Sequence, residues 1–187
     1  MKRRDFLTAA GLSALGISGA GRSAFARDGK GARLVIAGAG AAGLSLASRL
    51  SSALENAKII IIDERKEHIF QPGLTLVGAG LWPAQKVIDQ NAQYIPVGVE
   101  WVQEAIAEFD PEANQVVTAR GRTFAYDFLF VATGLALDYT AIDGMDAALI
   151  GRKGIASVYA GPQAAAASAQ VIDTYIEQGG VGLFGRP

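Results

Sequence analysis

One short segment constrains this chain more than any other. Arg33-Leu34-Val35-Ile36-Ala37 is an apolar, β-branched run of the kind that forms a strand buried on both faces of a parallel sheet, and Gly38-Ala39-Gly40-Ala41-Ala42-Gly43 follows it at once. Leu44 to Leu54 continues with helical spacing through Leu46, Ala47, Leu50 and Leu54, and a second strand, Lys58-Ile59-Ile60-Ile61-Ile62, ends at Asp63. Strand, G-x-G-x-x-G, helix, strand and an acid about 20 residues further on is the order that places a dinucleotide diphosphate at a helix N-terminus.

Each position in that order has a task. Gly38 permits the tight turn out of the strand, and Gly43 lets the helix pack hard against the sheet. Gly40 has no Cβ, so a diphosphate can approach the backbone. The helix start, through Ala41 and Ala42, offers free N–H groups and roughly half a positive charge. Asp63 can accept hydrogen bonds from ribose hydroxyls. A second G-x-G-x-x-G, Gly180 to Gly185, follows an Ala-rich helical segment instead of a strand and has no helix after it. It reads as the start of a strand, not as a nucleotide site.

Composition bounds the chemistry open to such a domain. The 187 residues are 50% hydrophobic and 19% charged, which suits one globular domain and excludes a disordered chain. Basic and acidic residues number 17 and 18, so nothing supports nucleic-acid binding as a primary role. The sequence has no cysteine, which excludes a disulfide framework, a thiolate metal site and a catalytic thiol within it; with 1 histidine, an ordinary zinc site lacks ligands. No metal ligand and no catalytic side chain are assigned. Any chemistry has to come from something the chain binds.

The N-terminus reads as an address. Lys2-Arg3-Arg4-Asp5-Phe6-Leu7 puts a twin arginine ahead of an apolar run from Leu7 to Ala20, broken by glycines and too short to span a bilayer. Ala24-Phe25-Ala26 supplies the small-x-small pattern of a signal-peptidase site. Residues 1–26 therefore resemble a bacterial twin-arginine (Tat) signal, and the expected mature chain begins near Arg27, is periplasmic, and is more acidic than the full sequence.

The fingerprint alone does not choose between FAD and NAD. Gly98 to Phe109 reads as a strand, Pro111 to Asn114 as a turn, Gln115 to Ala119 as a return, and Thr123 to Tyr126 as a third strand after Arg120-Gly121-Arg122. An apolar strand then closes on Ala132-Thr133-Gly134. A βαβ unit, a β-meander and a strand ending in A-T-G resemble the FAD domain of the two-dinucleotide-binding-domain flavoproteins, where the A-T-G backbone passes near the cofactor. The expected fold is α/β, a Rossmann-like FAD-binding domain at 27–187 with a mostly parallel sheet and an inserted meander.

Within that superfamily, His68-Ile69-Phe70-Gln71-Pro72-Gly73-Leu74-Thr75-Leu76-Val77-Gly78-Ala79-Gly80 resembles the H-x-[YF]-Q-P-x-x-T-L-V-G-x-G stretch of the sulfide:quinone oxidoreductase and flavocytochrome c sulfide dehydrogenase group. Val99 to Val102, Leu137-Asp138-Tyr139 and Gly154 to Tyr159 extend the likeness over nearly all of residues 32–184. It implies FAD as cofactor, sulfide as substrate, and a quinone or c-type cytochrome as electron acceptor. It places Gln71 and Pro72 on the loop leading towards the isoalloxazine ring, and Glu64, Ala105, Ala132, Thr133 and Gly134 beside the cofactor. His68 reads as fixing loop shape, with proton transfer as the alternative, and Trp82 and Trp101 as packing residues. Such enzymes attack sulfide with a cysteine pair, run to about twice this length, and carry a second nucleotide-binding domain. The chain is therefore expected to be the N-terminal part of a longer enzyme, with residues 163–178 a helix leading into the second domain and any membrane contact made by the missing parts. The alternatives are a non-catalytic FAD or ADP-binding module and a relative of type II NADH:quinone oxidoreductases.

Overall fold

The computed structural model describes residues 31–185, so the expected signal at 1–26 lies outside the described residues. In chain order the elements are β1 (Arg33–Ala37), α1 (Ala41–Ala53), β2 (Lys58–Ile62), β3 (Glu67–Ile69), α2 (Leu74–Gly78), β4 (Ile88–Gln90), β5 (Glu100–Val102), β6 (Ile106–Asp110), β7 (Gln115–Thr118), β8 (Thr123–Ala125), β9 (Phe128–Val131) and α3 (Pro162–Gln178), with short 3-10 turns between them. The chain divides into two units: residues 31–64 with 95–132, and residues 65–94 with 133–185.

The first unit is built on a four-stranded parallel sheet in the order β5-β2-β1-β9. Register sets Val35 between Ile60 and Leu129, and Ile36 between Ile61 and Phe130. Alternation along the strands then divides the apolar runs between two faces. Leu34, Ile36, Ile59 and Ile61 pack against Leu44 and Ala47 of α1. Val35, Ile60, Ile62 and Val102 pack on the other face against Val116 and Tyr126. With both faces covered, there is no polar alternation, which is why β1 and β2 read as unbroken apolar runs. This is a Rossmann-like α/β fold with an inserted antiparallel meander, β6-β7-β8.

One strand boundary differs from expectation. Gly98 to Phe109 is two strands rather than one: β5 joins the parallel sheet, and β6 begins the meander. The break falls at Gln103 to Ala105, where the Glu104 N–H folds back on the Val102 carbonyl at 3.0 Å. That same carbonyl accepts from the Asp63 N–H at 3.1 Å, so the chain leaves the sheet at Val102. Gln103 and Glu104 stand at the break, and two adjacent polar residues within a loosely alternating run do not by themselves mark the end of a strand.

β9 enters the sheet through a clamp. Asp127 accepts from the Arg33 N–H at 2.7 Å and from the Arg33 guanidinium at 2.8 and 3.2 Å, while its own N–H donates to the Arg33 carbonyl at 2.8 Å. These bonds fix the register of β9 on β1 at their amino ends.

The second unit pairs β3 with β4 antiparallel, from Glu67 opposite Gln90 to Ile69 opposite Ile88. Its core joins Leu74 and Val77 of α2, Val87, and Ala165 of α3. A Cβ on Gly78 would stand 2.4 Å from Val158 Cγ1, so close packing there needs glycine. The Ser168 hydroxyl accepts from the Ser157 N–H at 2.8 Å and donates to the Ala164 carbonyl at 2.7 Å, tying α3 to the segment before it. Residues 181–185 form no strand, contrary to the sequence reading. Gly179 and Gly180 have φ of 69° and 124°, which stop the helix, and no described strand pairs with the segment that follows. Among the described residues no helix is long and apolar enough to cross a membrane.

The Arg33 guanidinium, followed by the Arg33 N–H, holds the Asp127 carboxyl below the usual carboxylate range. A carboxyl with a depressed folded-state pKa contributes stability above its unfolded value and loses it as pH falls through the folded one. Both side chains are solvent-exposed, at 49% and 36%, so the side-chain pair contributes under about 1 kcal/mol. Thermal melts of Asp127→Asn should show a Tm lower by at most about 2–4 °C at pH 7. The difference should begin to shrink as pH falls below about 4, the range of an unfolded aspartate, and close only as pH falls through the lower folded-state value.

Candidate functional site

The carboxyl ends of β1 and β2 meet the start of α1, and the backbone there is specified residue by residue. Gly38 has φ of 106°, a conformation that L side chains rarely adopt, and its N–H donates to the Ile62 carbonyl at the tip of β2 at 2.8 Å. A Cβ on Gly43 would stand 1.9 Å from the Gly38 carbonyl oxygen and 3.4 Å from Ile36 Cγ2, so glycine is needed for α1 to pack on the loop and β1.

Gly40 is different. Its φ of −76° and ψ of −176° suit any residue, and a Cβ there would meet no protein atom within 4 Å. Nothing inside the protein requires glycine at this position.

Gly40 is also the N-cap of α1, and it supplies no side-chain hydrogen bond. The first turn carries no acid, and the first helical bond runs from the Leu44 N–H to the Gly40 carbonyl at 3.0 Å. The N–H groups of Ala41, Ala42 and Gly43 precede that bond, at the positive end of the helix. Ala41 and Ala42 are exposed. The residues therefore fit a diphosphate: an uncapped helix start beside a backbone with no side chain over it.

Asp63, only 8% exposed, stands beside this loop at the tip of β2. Its Oδ2 accepts from the Ala39 N–H at 2.7 Å, and its carbonyl accepts from the Trp101 indole N–H at 3.1 Å. One carboxylate oxygen thus holds the glycine loop to β2. Glu64, next in the chain, is exposed. The Ala132 N–H donates to the Ala37 carbonyl at 2.8 Å, which brings the end of β9 beside the first glycine turn. Ala105 lies past the tip of β5, and its carbonyl accepts from the Ala119 N–H of the meander at 2.8 Å.

The remaining expected residues belong to the second unit. Gln71 and Pro72 are exposed in a 3-10 turn, where the Thr75 hydroxyl donates to the Pro72 carbonyl at 3.0 Å. Thr133 and Gly134 are exposed, and Gly134 has φ of 81°. His68 Nδ1 lies 3.1 Å from Asn91 Oδ1, and Asn91 is 1% exposed. Sequence reasoning missed Asn91, whose side-chain N–H donates to the Arg65 carbonyl at 2.9 Å. A single buried amide leaves no pattern by which to find it. Among the described residues, no cluster of three or more His, Cys, Asp or Glu could hold a metal. An apolar cavity of about 620 Å³ in the first unit lies at the amino ends of β1 and β9, between Leu34, Leu54 and Phe128, away from the glycine loop.

Residues 32–172 match the profile of the pyridine nucleotide-disulphide oxidoreductase family. The mitochondrial sulfide:quinone oxidoreductase of Dictyostelium discoideum is 38% identical over 68% of this chain and 28% of its own length. That of Mus musculus is 33% identical over 60% and 25%. The chain thus spans about a quarter of the length of these curated relatives. Among solved structures, sulfide:quinone oxidoreductase from Aquifex aeolicus superposes with a TM-score of 0.60 at 21% identity, over 79% of this chain and 33% of that one. A NAD-dependent persulfide reductase from A. fulgidus does so with a TM-score of 0.53 at 23% identity, over 79% and 28%. These two likenesses are of fold.

Two substitutions separate the loop's own requirements from any ligand's. Gly43→Ala should destabilise the chain by about 1–3 kcal/mol, because the methyl group meets backbone rather than a movable side chain. Asp63→Ala should cost a similar amount, about 1–3 kcal/mol, by leaving the buried Ala39 N–H without its acceptor. Asp63→Asn, which keeps an acceptor oxygen, should cost less. Urea unfolding at pH 7 measures all three.

Proposed function

The chain belongs to the pyridine nucleotide-disulphide oxidoreductase family, and from that premise we propose that it is the FAD-binding part of an oxidoreductase of the sulfide:quinone type. The observation that carries this reading is Gly40. Its backbone suits any residue and its missing Cβ would meet open space, so the glycine makes sense as clearance for a bound group. In this reading the amides of Ala41, Ala42 and Gly43 hold the diphosphate, with Gly38 and Gly40 giving its approach. Asp63 and Glu64 stand at the ribose, Ala105 at the adenine end, and Ala132 beside the diphosphate. Bound FAD supplies a two-electron acceptor. The chain's own residues bind it, orient it and hold its phosphates by backbone rather than by lysine or arginine.

Sulfide as electron donor and a quinone as acceptor are carried over from the relatives. A c-type cytochrome acceptor rests on sequence resemblance alone. The sequence contains no cysteine, so thiol chemistry on sulfide is not something these 187 residues perform unaided. That absence favours a second reading for the chain by itself, a module that holds FAD or its ADP half without turnover. Sulfide added anaerobically to the flavin-loaded chain distinguishes them: bleaching of the flavin absorbance supports the enzyme, and an unchanged spectrum supports the module.

Gly40→Ala is the direct test of the binding site. It should leave stability within about 1 kcal/mol, since only an N-cap glycine is lost. It should weaken ADP and FAD binding by about tenfold or more, measured by isothermal titration, because a methyl group enters the diphosphate's space. Equal affinity in the two proteins would remove the basis of the proposal.

Export is part of the same proposal. The twin arginine at Arg3 and Arg4 and the small residues at Ala24 and Ala26 fit a periplasmic destination reached by the Tat pathway. Replacing both arginines by lysine should leave the full chain in the cytoplasmic fraction of a bacterial host, while the unaltered chain is recovered, shortened, from the periplasm.

A further inference from the structure

The second unit contains a cleft of about 400 Å³ lined by His68, Phe70, Trp82, Lys86, Val87, Ile88, Asp89 and Tyr94, a volume within the range of small-molecule sites. Val87 is buried at its base, and Phe70 and Tyr94 remain about half exposed at 51% and 45%. The walls therefore combine three aromatic rings, an imidazole and an ammonium group on one short stretch of chain.

The polar groups divide into those already satisfied and those not. Asp89 Oδ1 accepts from the Gln90 N–H and the Gln93 amide, both at 2.8 Å, and Oδ2 accepts from the Tyr94 hydroxyl at 2.5 Å. The Tyr94 hydroxyl contributes most to holding Asp89 below the usual carboxylate range, so its charge stays in place and is shared over three donors. Asn91 donates its side-chain N–H to the Arg65 carbonyl, which turns Oδ1 towards His68. His68 Nδ1 therefore carries the proton on that bond, and Nε2 has no hydrogen-bond partner among the described residues. The imidazole is braced on its other side by the Tyr94 ring, centroid to centroid at 5.0 Å.

Lys86 is the other open group. Its Nζ sits 4.1 Å from the centre of the Trp82 ring, and it forms no ion pair with any described residue. A cation over a ring face keeps its N–H donors for another acceptor.

We propose that this cleft binds a planar aromatic molecule carrying an acidic oxygen, a carboxylate or a phenolate. Its ring lies against Trp82, Phe70 and Tyr94, its charge is met by Lys86, and a ring hydroxyl, where present, donates to His68 Nε2. The rings supply apolar area, and Lys86 is the open cationic donor; Asp89 keeps its negative charge, but its oxygens are already taken by Gln90, Gln93 and Tyr94, so the ligand's acidic oxygen meets Lys86. This site is independent of the dinucleotide reading, because it uses residues 68–94 alone.

The probe is 4-hydroxybenzoate, titrated into the 187-residue chain while the two indole N–H resonances are followed by NMR. Saturable movement of the Trp82 signal is expected, with Trp101 unmoved. Lys86→Gln, at an exposed position, should weaken binding about tenfold or more, as loss of a charge-assisted contact does. Lys86→Arg should retain most of the affinity. Three comparison probes decide what is recognised. Cyclohexanecarboxylate, inorganic phosphate and phenol should each bind at least about tenfold more weakly, since each lacks the ring or the charge. Equal binding of phosphate or cyclohexanecarboxylate would reduce the site to a bare anion contact, and equal binding of phenol to an apolar surface. No saturable shift of Trp82, or an affinity unchanged in Lys86→Gln, overturns the proposal outright.

Discussion

A single carboxylate at the tip of β2 holds the glycine loop where it is. Asp63 is buried, and burial of an ionised group is costly unless donors meet it. The Ala39 N–H meets Oδ2 at 2.7 Å, in the middle of the first glycine turn. That bond, with Gly38 N–H on the Ile62 carbonyl at 2.8 Å, makes the loop an extension of the sheet rather than a free connection. The start of α1 then has a fixed position, and only a fixed helix start can offer its N–H groups to a ligand without ordering them at the moment of binding. Sheet order supports the same end. β1 is flanked by β2 and β9 in parallel, so carboxyl ends converge at the loop, and the groups that hold it, the Ile62 carbonyl, the Asp63 carboxylate and the Ala132 N–H, lie at the ends of the two flanking strands.

The two constrained glycines and the open one show two kinds of constraint in one motif. Gly38 and Gly43 are required by the protein itself, one by φ and one by a carbonyl 1.9 Å from where a Cβ would be. Gly40 is required by neither. A fold that needed only a tight turn could tolerate alanine there, with no more than the loss of an N-cap preference. The structure thus separates the folding part of the motif from the part that points outwards, a distinction the letters G-x-G-x-x-G do not carry.

What could be read in the sequence was local. The turn at 38–43, the strands at 33–37 and 58–62, the meander and the helix near 163–178 each depend on neighbouring residues, and the structure has them. The split at Val102 depends on a non-local bond, the Asp63 N–H on the Val102 carbonyl, and its local trace is no more than the polar pair Gln103-Glu104 within a loosely alternating run. The segment after Gly180 failed as a strand because a strand is defined by its partner, and a motif search sees only one side of a pair. Within the site, Asp63 was legible as an acid at the right distance. Its bond to the Ala39 N–H was not, since the same residue type at the same place could equally face outwards.

With no cysteine in these 187 residues, the groups at the glycine loop are the backbone amides of α1 and the carboxylate of Asp63, and neither transfers electrons. The histidine is no exception. Asn91, 1% exposed and anchored on the Arg65 carbonyl, fixes the His68 tautomer from one side, and Tyr94 braces the ring from another. A histidine locked this firmly is costly to move but inexpensive to use as a fixed acceptor. In both units, then, buried polar groups spend one hydrogen-bonding atom on the fold, and the geometry so fixed determines what a neighbouring group can present to a ligand.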